Sequence, residues 1–257
     1  MNAHALGRLP APGRAAWRLL RHAAAEPYRR AGRFAWHFAR GKLGHDPAFR
    51  AMLERGDLSA RQRVVDIGCG QGLMASLLQS CLDLQRSGRW PSGWPQGPAV
   101  VAYTGIELMQ RDVQRAKRAL HSSPLQPRFV CADMCGAPLP ACDLVVILDV
   151  LHYVDHAAQL AVLQRVRDAL LPGGRLLLRV GDAEKRRRFC ISQWVDQAVT
   201  RLRGQPASPS WGRPLPDWLA LLQDLGFATA ALPMSRGTPF ANVLLVADVA
   251  GTARAAA

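Results

Sequence analysis

Three glycines, Gly68, Gly70 and Gly72, follow an apolar run that ends in Asp66 and Ile67, and they lead directly into a helical pattern of leucines. Glycines at such a turn allow a ligand to lie against bare backbone. The dinucleotide fingerprint is G-x-G-x-x-G, whereas this loop is G-x-G-x-G. A carboxylate two residues before the first glycine would repel a pyrophosphate and attract a cationic or hydroxyl-bearing group. The loop therefore predicts a nucleotide-type cofactor with a positively charged end.

The elements that would position this loop alternate along the chain. Apolar runs predict strands at 63–67, 99–106, 127–132, 143–148, 174–180, 227–233 and 241–248. Helical periodicity predicts helices at 72–86, 109–120, 155–171, 186–203 and 215–225. Asp155 is expected to cap the third of these helices, and Pro172-Gly173-Gly174 to stop it. Alternating strands and helices predict an α/β fold, with a parallel sheet covered by helices on both faces.

The N-terminal region differs from the rest of the chain in charge. Residues 1–63 carry a net charge of +9, against +5 for the remainder, and an Arg-rich genome composition would explain part of this bias. Helices are predicted from Arg14 to Gly44 and from Pro47 to Arg55, and one amphipathic stripe contains Tyr28, Ala31, Ala35, Phe38 and Ala39. This basic helix would form a lid, lie on an anionic surface, or simply pack on the domain. As a lid, it would affect turnover more than cofactor affinity.

Four segments divide the 257 residues. We expect disordered tails at 1–13 and 251–257, a basic helical extension at 14–58, and a cofactor-binding domain at 59–250. Six cysteines are scattered without a C-x-x-C pair, which favours reduced thiols over a disulfide framework or a metal site. No apolar run reaches the roughly 18 to 20 residues that span a bilayer, and prolines and arginines interrupt the first twenty residues. We therefore expect a cytoplasmic protein.

Five motifs resemble those of the class I S-adenosylmethionine (SAM) dependent methyltransferases. They occur in that family's order and read VVDIGCGQG at 64–72, TGIEL at 104–108, CADM at 131–134, CDLVVILDVLHYV at 142–154 and LLPGGRLLLRV at 170–180. The resemblance implies a Rossmann-like, seven-stranded, mostly parallel sheet that is closed by an antiparallel C-terminal hairpin. It also implies SAM as the cofactor.

The resemblance further implies a role for each residue at a strand end. Asp66 would meet the ammonium group of SAM, Glu107 would accept hydrogen bonds from the ribose hydroxyls, and Asp133 would hold the adenine amino group. Glu107 stands 35 residues after Gly72 instead of roughly 20, and a Trp- and Pro-rich insertion at 87–98 explains the difference. No metal ligand is predicted. The full predicted cofactor set is Asp66, Gly68, Cys69, Gly70, Glu107, Leu108, Asp133, Met134, Leu148 and Asp149.

The residue that would act on the methyl acceptor stays open. Many small-molecule members carry histidine at the position of Tyr153, whereas this chain has tyrosine there and His152 before it. A histidine with an ordinary pKa near ~6.5 can act as a base, while a tyrosine with a pKa near ~10 would rather orient a substrate. Both also suit packing or lid contacts, and His37 on the basic helix is a third candidate.

The predicted function is methyl transfer to a small or carrier-bound acceptor, with a hydroxyl oxygen or an aromatic group favoured. The letters LDVLHY at 148–153 replace the N/D-P-P-Y type tetrapeptide of enzymes that methylate base nitrogens, so no specific nucleic acid is expected. A SAM-binding sensor without catalysis and an RNA-directed methyltransferase remain alternatives. A dinucleotide oxidoreductase is disfavoured by the glycine spacing.

A finer resemblance concerns both ends of the chain. The segments AGRFAWHFARGKLGHDP at 31–47 and GTPFANVLL at 237–245 are similar to methyltransferases of bacterial aryl-polyene (xanthomonadin-type) pigment clusters. This resemblance implies an aromatic acceptor on an acyl carrier protein. Carrier proteins are acidic, so the basic N-terminal region would have a partner.

Overall fold

Seven strands form one mixed sheet in the computed structural model, which describes residues 13–181, 211–234 and 242–250. The strands are β1 (Arg63–Ile67), β2 (Ala102–Glu107), β3 (Arg128–Cys131), β4 (Cys142–Leu148), β5 (Leu170–Gly181), β6 (Phe227–Pro233) and β7 (Asn242–Val249). Their order is β3-β2-β1-β4-β5-β7-β6. Strands β1 to β5 pair in parallel, and β7 pairs antiparallel with both β5 and β6. The predicted fold class, including the C-terminal hairpin, is confirmed.

Helices cover both faces of this sheet. They are α1 (Arg14–Ala25), α2 (Arg33–His45), α3 (Pro47–Glu54), α4 (Leu73–Arg86), α5 (Gln110–Ala119), α6 (His156–Ala169) and α7 (Leu215–Asp224). In β4, Leu144 and Val146 belong to the core shared with α1 to α5, while Val145 and Ile147 belong to the core shared with α6 and α7. A central parallel strand that is buried on both faces has a nearly continuous apolar sequence, and for this reason β4 could be predicted from the sequence.

The predicted helix that carries the amphipathic stripe consists of two elements in the structure. A 3₁₀ helix spans Glu26–Ala31, and Gly32 follows with φ of 107° before α2 begins. The predicted stripe is nevertheless buried at Tyr28, Ala35 and Ala39. The amphipathic pattern thus continued across a break that only a glycine accommodates readily.

The end of α6 also differs from the prediction. Asp155 caps the helix as expected, since Ala158 N donates to Asp155 Oδ1 at 2.8 Å. The helix stops at Ala169 because Leu170 already pairs with Cys142 and begins β5. The other predicted elements lie within a few residues of the observed ones, while the predicted helix at 186–203 and the tails lie outside the described residues, apart from Gly13.

The N-terminal helices belong to the main core. Trp17 and Leu20 of α1 are buried on α4, and Ser76 Oγ of α4 donates to Ala24 O at 2.7 Å. The Trp- and Pro-rich insertion packs nearby, with Trp94 buried and its ring 5.5 Å from that of Trp90. Among the described residues, no helix has both the length and the apolar character needed to cross a membrane.

Candidate functional site

The glycine loop lies between β1 and α4, at the carboxyl edge of the sheet. Its glycines have left-handed φ angles of 74°, 54° and 75°. The backbone N–H groups of Gly68 and Cys69 donate to Ile106 O at 2.8 and 3.1 Å, which fixes the loop to the end of β2. The sequence thus places a rigid turn where ligands of open α/β sheets bind.

The loop is packed on one side and open on another. A Cβ atom added to Gly68 would lie 2.5 Å from Val150 Cγ1, whereas one added to Gly70 would meet no atom within 4 Å. Gly68 is therefore required for packing against the end of β4. Gly70 presents bare backbone toward space that a ligand can fill.

The carboxylate of Glu107 borders this open side. Glu107 Oε2 accepts a hydrogen bond from Gly70 N at 2.9 Å, and Oε1 accepts one from Met109 N at 2.8 Å. One side chain at the end of β2 thus connects the glycine loop to the start of α5. Leu108, which lies between, is 60% exposed. The structure brings Glu107 and Gly70 together across 37 residues, while their contact with a cofactor stays a prediction.

Asp66 lies beneath the loop, 5% exposed, and accepts a hydrogen bond from Tyr103 Oη at 2.5 Å. Burial raises the pKa of Asp66 to about 7, the Tyr103 hydrogen bond opposes the rise, and the charge of Glu107 adds to it. A carboxyl group that ionises near neutral pH has more to gain from a nearby cation than an exposed one, because its charged form is poorly solvated. The site therefore favours a positively charged ligand group.

The place of three residues beside the glycine loop was not predicted from the sequence. Tyr28 donates from its hydroxyl to Gln71 O at 2.7 Å, and both residues are buried. Within the described residues, neither polar atom of the Gln71 side-chain amide has a hydrogen-bond partner. Tyr103 lies two residues before Gly105, which pairs with Asp66, so its side chain lies on the same face of the sheet as that of Asp66. This pairing is the signal that could have located Tyr103. Tyr28 was predicted only as part of the amphipathic stripe, and no sequence pattern indicated its contact with Gln71.

Asp149, at the end of β4, belongs to a group of four charged residues. Arg179 Nε donates to Asp149 Oδ1 at 2.7 Å, and Arg179 Nη1 donates to Asp46 Oδ1 at 2.5 Å. Lys42 Nζ lies 2.9 Å from Asp46 Oδ2 and 3.7 Å from Asp149 Oδ2. Burial raises the pKa of Asp149, but Arg179 and then Lys42 lower it more, so that its net shift is downward. Asp149 is therefore a carboxylate held in place.

Helix α2 extends along this edge of the sheet. Near its start, the Phe34 ring lies 4.6 Å from the guanidinium of Arg115 on α5. Near its end, Lys42 reaches Asp149. The helix thus extends from the element after β2 to the end of β4, and these contacts do not test its role as a lid. His37 is exposed on this helix, with its ring 4.7 Å from that of Trp36.

His152 and Tyr153 lie in a 3₁₀ helix, Leu151–Tyr153, directly after β4. Their ring centroids are 4.2 Å apart, and Tyr153 is 41% exposed. Burial lowers the pKa of His152, and the charge of Asp149 opposes this shift. The imidazole is consequently neutral at neutral pH, which is the state that a general base requires.

The remaining predicted residues lie at the same edge. Asp133 Oδ1 accepts from Cys135 N at 2.8 Å, so this carboxylate shapes the turn after β3. Met134 O accepts from Arg165 Nη1 at 2.9 Å, and Leu148 is partly buried against the core of α1 to α5. The turn contact of Asp133 agrees with the ordinary structural use of aspartate. Its contact with an adenine stays a prediction.

Comparisons with known proteins agree with this arrangement. A family model described as "Methyltransferase domain" matches residues 35–229. The chain is 26% identical over 140 residues to carboxy-S-adenosyl-L-methionine synthase of Hydrogenovibrio crunogenus (51% of this chain, 50% of that protein). It is 33% identical over 132 residues to acetylserotonin O-methyltransferase of Mus musculus (48% of this chain, 29% of that protein). The chain thus spans half or less of the length of these curated relatives.

The fold also resembles solved structures. Human N-acetylserotonin methyltransferase in complex with SAM superimposes with a TM-score of 0.57 and 20% identity, covering 94% of this chain and 61% of that one. At this identity the likeness concerns the fold alone.

Proposed function

The chain belongs to the family of methyltransferase domains, and from that premise we propose that it transfers a methyl group from SAM to an oxygen atom of a small or carrier-bound acceptor. The observation that carries the proposal is the open backbone at Gly70, bordered by the Glu107 carboxylate and lying above the buried Asp66. The mouse relative is an O-methyltransferase by name, which supports oxygen as the acceptor atom.

The residues at the loop fit SAM by the chemistry of their donors and acceptors. Glu107 offers acceptor oxygens suited to the two ribose hydroxyls. Asp66 offers a buried carboxylate suited to the ammonium group. Gly70 leaves room for the part of SAM that joins the ammonium group to the ribose. When bound, SAM supplies a methyl group on a positively charged sulfur.

The residues after β4 suit the acceptor. We assign His152, neutral at neutral pH, to remove the proton from the acceptor hydroxyl, and the exposed Tyr153 to orient the acceptor. Asp149 and Arg179 hold the start of this turn through their paired hydrogen bonds. Positioning of this kind is the main contribution that a protein makes to a reaction with an already strong electrophile.

The charge of the N-terminal helices supports a carrier-bound, aromatic acceptor, as in the pigment-cluster subgroup. Between residues 13 and 45 the only acid is Glu26, which pairs with Arg29 at 2.7 Å. Arg29 and Arg40 lie before and after Trp36 in the sequence. Their guanidinium carbons are 4.2 and 4.6 Å from the centroid of the Trp36 ring. An acidic carrier protein would complement this surface. The described cysteines are free, in keeping with a reducing cytoplasm.

The proposed function is tested with methyl-labelled SAM. The protein is incubated with hydroxylated aromatic acids, with the same acids loaded on an acidic acyl carrier protein, and with total bacterial RNA. Label in an aromatic methyl ether is the expected result, and more label from the loaded acids supports the carrier. Tight SAM binding with no label in any acceptor would contradict transfer and favour a sensor, whereas label in RNA alone would contradict the acceptor class.

The affinity for SAM is expected to fall as the pH decreases from 7.5 to 5.5. Burial raises the pKa of Asp66 to about 7, so the carboxylate that would pair with the ammonium group is progressively protonated below that value. The loss approaches about tenfold per pH unit, since one proton competes with one ligand. Isothermal titration calorimetry at several pH values measures it, and Asp66→Asn should bind weakly with little pH dependence.

The same shift has an opposite effect on folding. In the unfolded chain the pKa of Asp66 is near ~3.9, so its contribution to stability is full below that pH and is lost as the pH rises through about 7. Asp66→Asn should therefore gain stability relative to the natural protein at pH 8 and less at pH 5. An Asp66 variant that binds SAM normally would contradict the assigned role.

A further inference from the structure

The side chain of Gln159 is fully buried in the first turn of α6 and lies behind the turn that carries His152 and Tyr153. Its Nε2 atom donates to Val154 O at 3.0 Å and lies 3.3 Å from Leu151 O, so that these two carbonyl groups share one N–H while the other donates elsewhere. These two carbonyl groups flank the pair of candidate residues on both sides. One amide group thus holds the start and the end of the turn.

The same amide also holds residues 211–213, which lie beside the turn. Gln159 Nε2 donates to Trp211 O at 2.8 Å, and Gln159 Oε1 accepts from Arg213 Nε at 2.7 Å. Trp211 N in turn donates to His152 O at 2.9 Å, and Arg213 Nη2 donates to His156 O at 3.0 Å. The turn, α6 and the chain at 211–213 therefore meet at a single side chain.

We propose that Gln159 is a positioning residue for methyl transfer, which sets the location of the His152 imidazole relative to the acceptor. This inference rests on the proposed function of the His152 turn. Replacing a buried amide that donates to carbonyl groups of separate segments lowers stability, because these buried carbonyl groups lose a hydrogen bond. If the turn shifts by about 1 Å, the rate of a reaction that depends on the alignment of the reacting atoms falls by up to about 100-fold.

The test compares two buried glutamines that each fix a loop. Gln79 on α4 is 7% exposed and accepts from Leu125 N at 2.7 Å and from Ser123 Oγ at 3.2 Å, near the amino end of β3. Gln159→Leu and Gln79→Leu should both lose thermal stability. Gln159→Leu alone should lower kcat with the methyl acceptor by about 10- to 100-fold, while its Kd for SAM changes by less than about twofold.

Equal losses of kcat in the two variants, or a loss of SAM affinity as large as the loss of kcat, would overturn the proposal. Should Gln159→Leu not fold, Arg213→Met takes its place, because it removes the partner of Gln159 Oε1 and the hydrogen bond to His156 O but leaves the Gln159 Nε2 contacts intact. That variant should lower kcat in the same direction by a smaller factor. An unchanged kcat in a folded Arg213→Met protein, with Gln159→Leu unfolded, counts against the proposal.

A readout without substrates separates this proposal from the proposed function. The imidazole resonances of His152, assigned by their absence in His152→Gln, are followed by NMR as the pH is changed. In Gln159→Leu the titration midpoint should move toward the ordinary value, because the turn becomes more exposed, and in Gln79→Leu it should not. A wild-type protein that transfers no methyl group contradicts the function, whereas an unmoved His152 titration in Gln159→Leu contradicts the positioning role.

Discussion

A chain that begins after His45 is expected not to fold, and so to lose SAM binding together with turnover. The deletion removes side chains from the core that includes α4, among them Trp17, Leu20, Tyr28 and Leu43, which are each at most 8% exposed. Burial of one such side chain contributes about 1.5–3 kcal/mol. Loss of four approaches the whole stability of a domain, about 5–15 kcal/mol. A separable lid would instead have affected turnover more than affinity.

The measurement is circular dichroism with thermal unfolding, followed by calorimetry with SAM. Tyr28→Phe is the matched control, because it keeps the ring in the core and removes only the hydrogen bond to Gln71 O. This variant should fold, at a cost of about 1 kcal/mol. A shortened chain that unfolds cooperatively and binds SAM with the affinity of the full chain would show that the N-terminal helices are a lid after all.

The sheet could be predicted because burial on two faces leaves a clear pattern. Residues 144–148, which read LVVIL, are apolar throughout, and a glycine loop after β1 fixes the position of the site. The break at Gly32 could not be predicted. Tyr28 before it and Ala35 after it are both buried, so the pattern looks like one helix.

The candidate site was predictable where strand ends carry the chemistry. Glu107 follows from its place at the end of β2, but its contact with Gly70 N depends on the loop conformation. Arg179 was the clearest missed signal, because an arginine within the run LLLRV must find carboxylates when buried. Its partners could not be identified from sequence, since Asp46 lies 133 residues away.

Replacing Glu107 with alanine is expected to raise the Kd for SAM by at least about 100-fold. The carboxylate accepts from Gly70 N and Met109 N, so its loss releases the glycine loop from the start of α5. The proposed contacts with the ribose hydroxyls disappear at the same time. A hydrogen bond to a charged group contributes about 1.5–3 kcal/mol, and loss of two corresponds to about two orders of magnitude in affinity.

The comparison that isolates this effect uses Glu54→Ala and Glu107→Gln. Glu54 pairs with Arg50 at 2.7 Å on α3, so its loss should leave SAM affinity unchanged. Glu107→Gln keeps one carbonyl oxygen for one of the two N–H groups and should weaken binding by an intermediate factor. Calorimetry with SAM, after a thermal scan of each unliganded variant, measures the series. If Glu107→Ala is folded and binds within about threefold of the natural protein, then the open backbone at Gly70 is not the cofactor site.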